Sequence, residues 1–127
     1  MDQIKKITSS DVIIPHKGIS QAVQYGNIIF VSGQVGEDVN GIVAEGIEAQ
    51  VEQAILNAQS ILQAAGSGLN KVLMCRCFLS DPNHFDGMNR AYFKFFGNTE
   101  VGPARYTVIA PPCFEKYLFE VAMFATV

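Results

Sequence analysis

From Ile47 to Ala65 apolar residues return every three or four positions, at Ile47, Val51, Ala54, Ile55, Ala58, Ile61, Leu62 and Ala65. That spacing predicts an amphipathic helix. Glu48, Gln50, Glu52, Gln53 and Gln59 are read as its solvent face, and Gly66-Ser67-Gly68 as its stop. A helix with a single apolar stripe must bury that stripe against another element, and the flanking segments read as strands. Gln21 to Tyr25 and Ile28 to Val31, joined at Gly26-Asn27, form a predicted hairpin whose second strand ends at Ser32-Gly33-Gln34. Val12 to Gly18 reads as an extended lead-in to it. Lys71 to Leu79 reads as a central strand, apolar on both faces except for Arg76. Asp81-Pro82 opens a second, shorter helix marked by Phe85, Met88, Asn89, Tyr92, Phe93 and Phe96. Arg105 to Ala110 and Leu118 to Ala125 are the last two strands. The order strand, strand, helix, strand, helix, strand, strand describes one domain over residues 1–127. Its class is α+β: two layers, with two helices on one face of a mixed sheet.

Two helices leave the other sheet face bare. Composition bears on what covers it. Apolar residues make up 49% of the 127 and charged residues only 17%, against about 25% charged in an average globular chain. Copies of the same chain are the simplest cover. The net charge of −3, with nine Lys and Arg scattered along the chain, argues against nucleic acid as a main partner. No run approaches the roughly 18 apolar residues of a membrane span. The opening Met1-Asp2-Gln3-Ile4-Lys5-Lys6 leads into no apolar stretch, so no secretory signal is expected. Three cysteines make no disulfide framework, and a cytoplasmic protein is expected.

The common site motifs are missing: no phosphate-binding loop, no dinucleotide glycine fingerprint, no paired-histidine metal motif. His16 and His84 read as surface or turn residues. Cys75 and Cys77 share a strand face but lack the further ligands a zinc site needs, so they read as core. Cys113 follows two prolines in a loop with no base marked beside it. Arg105 and Glu120 stand out. Arg105 shares a strand face with Thr107 and Ile109, and its permanent charge must find an anion, a bound carboxylate or an ion-pair partner, or reach water. Glu120 shares its face with Leu118, Ala122 and Phe124. It is at a wet edge, or partly buried with a raised pKa, or paired with a Lys or Arg, Arg105 included. Gly33 invites close approach by another group. Asn89, among apolar helix residues, needs a partner for its amide.

Taken in order, these residues resemble the RidA family (YjgF/YER057c/UK114). The resemblance rests on Gly26-Asn27 through Ser32-Gly33-Gln34, on Ala64-Ala65-Gly66, and on Phe78-Leu79-Ser80-Asp81. Asn89, Tyr92, Phe95-Phe96, Pro103-Ala104-Arg105 and Glu120-Val121-Ala122 extend it, from about residue 18 onward. The resemblance implies a chorismate-mutase-like (YjgF-like) fold in a homotrimer with a cleft at each subunit interface. It implies hydrolysis of small 2-imino acids to 2-keto acids and ammonia, with no cofactor and no metal. Arg105 matches the family's carboxylate anchor and Glu120 the residue associated with the hydrolytic water. Ser32, Asn89, Ile19 and Thr107 match substrate-binding positions of the cleft.

Three positions depart from the family pattern. Ile19 stands in place of a tyrosine, Thr107 in place of a common cysteine, and Gly102 where an aromatic residue is frequent. The loss of the tyrosine hydroxyl keeps a second reading open, a non-catalytic protein that binds small carboxylates in the same cleft. Some relatives are described as ribonucleases or translation inhibitors, which the acidic charge balance argues against. Chorismate-mutase activity would rest on fold analogy alone.

Overall fold

The turn at Gly26-Asn27 closes a hairpin between β2 (Ala22–Tyr25) and β3 (Ile28–Val35), as the sequence predicts. The computed structural model describes residues 3–127. Within them the chain continues through α1 (Ile47–Ala64), β4 (Val72–Leu79), α2 (Phe85–Phe96), β5 (Ala104–Ile109) and β6 (Phe119–Thr126). One element was not anticipated. Lys5–Ile7 forms a short strand, β1, antiparallel to β2. Three residues carrying two exposed lysines show no alternation long enough to read, yet a short lysine-bearing strand suits a sheet edge.

The six strands run in the order β1-β2-β3-β6-β4-β5. The last strand of the chain therefore lies near the middle of the sheet, between β3 and β4 and antiparallel to both. Only β4 and β5 are parallel, and α2 supplies the crossover that a parallel pair needs.

Both helices pack on one face. From α1, Val51, Ile55, Ile61 and Leu62 are fully buried, and α2 contributes Met88, Ala91 and Tyr92. The facing strand positions Ile29, Val31, Cys75, Cys77, Val121 and Met123 complete the core. Helix α1 ends where Gly66 takes a φ of +76°. Gly66 and Ser67 then return their backbone N–H groups to the carbonyls of Gln63 and Leu62. That is a glycine-terminated Schellman stop. Before α2, Asp81 caps a short 3-10 turn at Pro82–His84, its carboxylate accepting from the Asn83 N–H at 2.7 Å.

The opposite sheet face carries Phe30, Phe78, Tyr106, Val108 and Phe124, and among the described residues no helix covers it. Phe30 and Tyr106 each keep more than 40% of their surface exposed.

Two expectations are corrected. The second hairpin strand does not stop at Ser32-Gly33-Gln34 but runs to Val35. Val31 pairs with Met123 and Gln34 with Val121, so β3 carries one residue more than β6 across this stretch. Ser32-Gly33 is therefore a β-bulge, a device common beside functional sites. Gln50, read as part of the solvent face of α1, is 3% exposed. Its side-chain N–H groups donate to the carbonyls of Ala44 and Lys116, and its Oε1 accepts from Leu118 N at 2.8 Å. The amide replaces missing backbone partners just before β6.

Candidate functional site

The face of β5 that holds Arg105 and Thr107 is paired with Cys75 and Cys77 of β4, and so points toward the helices. Asn89, Tyr92 and Phe93 of α2 lie three and four residues apart, on one helical face. Arg105 meets that face. Its Nη1 donates to Asn89 Oδ1 at 2.8 Å. The guanidinium lies 4.7 Å from the ring centre of Tyr92 and 5.8 Å from that of Phe93. Among the described residues no Asp or Glu lies within ion-pair distance of Arg105. The ion pair left open by the sequence is absent; the cation is steadied by an amide oxygen and two ring faces.

Nothing next to Arg105 offsets its charge. Burial pushes the Cys75 thiol up to about 11 and the Cys77 thiol up to about 12. Burial also raises the Tyr92 phenol well above its ordinary range. All three stay neutral at physiological pH. The Thr107 hydroxyl oxygen is buried and makes no hydrogen bond. The surroundings therefore keep a net positive charge with unspent N–H donors, which suits a planar carboxylate.

Glu120 is on the other side of the sheet. It pairs with Phe78 of β4, three residues from the partner of Arg105, and strand alternation sends the two side chains to opposite faces. The suggestion that these two residues form an ion pair within the chain is thereby overturned. Glu120 has no basic partner among the described residues. Its carboxyl is half-buried, and that burial raises its pKa above the usual carboxylate value. The carboxylate lies over the bulge: a β-carbon at Gly33 would stand 2.7 Å from Glu120 Oε2. The group that Gly33 lets approach is thus Glu120.

Ser32, in the same bulge, donates its hydroxyl to the Ser20 carbonyl at 2.6 Å, and its N–H bonds to Gln21. This fixes the lead-in segment that carries Ile19. Gln21 reinforces it by donating to the carbonyls of Ser9, Val12 and Ile13. Ile19, Ser32 and Gly33 line one cleft, of about 180 Å³, between the lead-in and the end of β3. The site residues thus fall into two groups, Arg105 with Asn89 and Thr107 toward the helices, and Glu120 with Ser32 and Ile19 toward the bare face. Tyr92 and Phe93 were legible only as helix residues, and Gln21 only as a strand start.

Of the other residues weighed in the sequence, Cys75 and Cys77 are buried free thiols and Cys113 is exposed. Among the described residues, no three His, Cys, Asp or Glu side chains gather in a way that could hold a metal ion. No described helix is long and apolar enough to cross a membrane.

The sequence profile described as endoribonuclease L-PSP matches residues 10–127. A RutC family protein of Pyrococcus horikoshii is 36% identical over 108 residues, 84% of this chain and 84% of that protein. The 2-iminobutanoate/2-iminopropanoate deaminase of Mus musculus is 38% identical over 95 residues, 73% of this chain and 70% of its own. The crystal structure of a Yersinia pestis protein described as belonging to the conserved Rid protein family superposes with a TM-score of 0.92. It is 27% identical and covers 98% of this chain and 100% of its own. With the profile matched over nearly the whole length and relatives of this identity spanning most of the chain, the protein belongs to the RidA family.

Proposed function

We propose that this protein is a cytoplasmic homotrimeric hydrolase of 2-imino acids, releasing 2-keto acids and ammonia. The observation that carries the reading is Arg105: a half-buried guanidinium with no acidic partner among the described residues, braced by Asn89 and Tyr92. The mouse relative's name supports the substrate class.

Because Arg105 and Glu120 point to opposite sheet faces, one copy does not hold both against one substrate. A neighbouring copy seated on the bare face supplies the second group, which is why the reading includes an oligomer. In it, Arg105 grips the carboxylate of the imino acid. Glu120, from the other copy, holds a water beside the imine carbon. The water oxygen bonds to that carbon as the C=N π electrons move to nitrogen, and Glu120 accepts the water's proton. The carboxyl then returns the proton to the nitrogen. The carbinolamine collapses as its hydroxyl proton passes to solvent, C=O forms and ammonia leaves. A protonated imine carbon is already electrophilic, so positioning supplies much of the rate. Burial raises the pKa of this carboxyl, which makes it a stronger base toward the water's proton.

The test is a competition assay. A threonine dehydratase generates the imine, semicarbazide traps it, and the protein competes with the trap. Wild type lowers trapping, whereas Arg105→Ala, folded and of unchanged native mass, does not. Equal trapping with both proteins overturns the hydrolase reading and leaves carboxylate binding without turnover.

A further inference from the structure

The bare sheet face holds a second guanidinium that the proposed reaction does not use. Arg76, on central strand β4, lies with its guanidinium carbon 5.0 Å from the ring centre of Phe124. Phe124 is itself held edge-to-face by Phe30 at 5.3 Å. Arg76 Nε is buried and has no hydrogen-bond partner, and no carboxylate pairs with the side chain among the described residues. The enclosed Nε is out of a ligand's reach, so an acceptor for this cation would have to meet the outer nitrogens of the fork, for which no ion pair is formed among the described residues.

The surroundings indicate which acceptor. Arg76 lines an open depression of about 470 Å³ together with Ile19, Ser20, Phe30, Ser32 and Phe124. Among the described residues Arg76 is the only charged one lining it. Ser32 has already committed its hydroxyl proton to Ser20. Ile19 and Ser32 also line the cleft beside Gly33, over which the Glu120 carboxylate sits, so the two spaces adjoin. On its other side Ile19 borders a further cavity, of about 330 Å³, lined by Lys6, His16 and Lys17 and, among the described residues, by no acidic one. A fixed guanidinium with apolar walls and added positive potential favours a carboxylate carried on a short apolar stem.

We propose that Arg76 is a specificity-determining residue, binding a side-chain carboxylate of the substrate, so that this protein prefers 2-imino acids bearing a second carboxylate. This deepens the hydrolase reading and rests on it. Arg105 takes the carboxylate next to the imine, common to every 2-imino acid, and Arg76 takes the distal one.

The test separates binding from turnover. In calorimetry, 2-oxoglutarate, the keto product of a five-carbon dicarboxylic imine, is compared with 2-oxobutanoate. Wild type binds 2-oxoglutarate about 10- to 100-fold tighter, the range of one charge-assisted carboxylate contact. Arg76→Met keeps an apolar stem on Phe124 and equalises the two ligands without weakening 2-oxobutanoate. Arg76→Lys retains charge but loses the planar fork, gives an intermediate ratio, and serves if the Met variant misfolds. In turnover, imines made by an amino-acid oxidase from glutamate and from 2-aminobutyrate compete with semicarbazide, and kcat/KM follows the same order. Hydrolysis of both imines with no Arg76-dependent preference overturns the inference and leaves the hydrolase reading standing. An Arg76-dependent binding preference without hydrolysis does the reverse. An Arg76→Met variant that falls apart into single chains with its ligand preference unchanged also overturns the inference, assigning Arg76 to the contact between copies.

Discussion

Replacing Gly33 by alanine should separate activity from stability. Its backbone is not in the left-handed region, so alanine is sterically acceptable to the main chain. Without strain, the substitution gains about 0.4–1 kcal/mol by restricting the unfolded chain. The added β-carbon, however, would meet Glu120 Oε2 at 2.7 Å, Cδ at 2.8 Å and Cγ at 3.1 Å. To reach ordinary contact at 3.4 Å the carboxylate oxygen retreats by about 0.7 Å. A misplacement near 1 Å in a positioning group costs on the order of 100-fold in rate. A loss of about 10- to 100-fold in kcat is therefore expected, or about 1.4–2.7 kcal/mol of barrier. The folding free energy should stay within about 1 kcal/mol of wild type. Gly36→Ala is the control. There the β-carbon would stand 2.5 Å from the Gln50 α-carbon, main chain of a packed helix that has no flexible end to yield. That variant should lose about 1–3 kcal/mol of stability. Semicarbazide competition gives the rate and denaturant titration gives the stability. Full turnover by Gly33→Ala would refute the placing of Glu120 at the reacting water. A Gly33→Ala protein less stable than Gly36→Ala would refute the claim that the Glu120 side chain yields more cheaply than the α1 main chain.

Three further outcomes follow from the same contacts. Gln50→Ala strands the Leu118 N–H and the carbonyls of Ala44 and Lys116, and should cost about 2–3 kcal/mol in denaturant titration. With Ellman's reagent the native protein should show one fast thiol, Cys113, and three after denaturation, because burial keeps Cys75 and Cys77 protonated. Glu120→Gln should raise the melting temperature at neutral pH. The raised carboxyl pKa means that ionisation opposes folding. This penalty is absent below the ordinary Glu pKa of about 4.3, grows as pH rises toward the folded-state value, and is full above it. The gain should therefore vanish near pH 4, and a gain that persists there would contradict it.

The sequence made the layer structure legible because pattern reports burial: α1 and α2 repeat apolar residues every three or four positions, and β4 and β6 are apolar runs with one charge each. It could not show β1, whose three residues hold no pattern, nor the continuation of β3, because a bulge breaks the period of two at Ser32-Gly33. Gln50 was misread for its chemistry, although its spacing from Ile47 and Ala54 places it on the buried stripe. Arg105 and Glu120 were legible as charges out of place on strands. That they face opposite ways depends on the pairing of β4 with both β5 and β6, which no local pattern encodes. Arg76 was visible as the one charge in a central strand, but its bare Nε appears only once its neighbours are in place.

The central claim is that each site draws Arg105 from one copy and Glu120 from another. Arg105→Ala and Glu120→Gln, each inactive alone, can be unfolded together, refolded as a mixture and assayed for imine hydrolysis. Random assembly at equal amounts leaves about one quarter of the interfaces with both side chains intact, so about that share of wild-type activity should return. Mixed oligomers that form, as native mass spectrometry would show, but recover no activity would contradict the account.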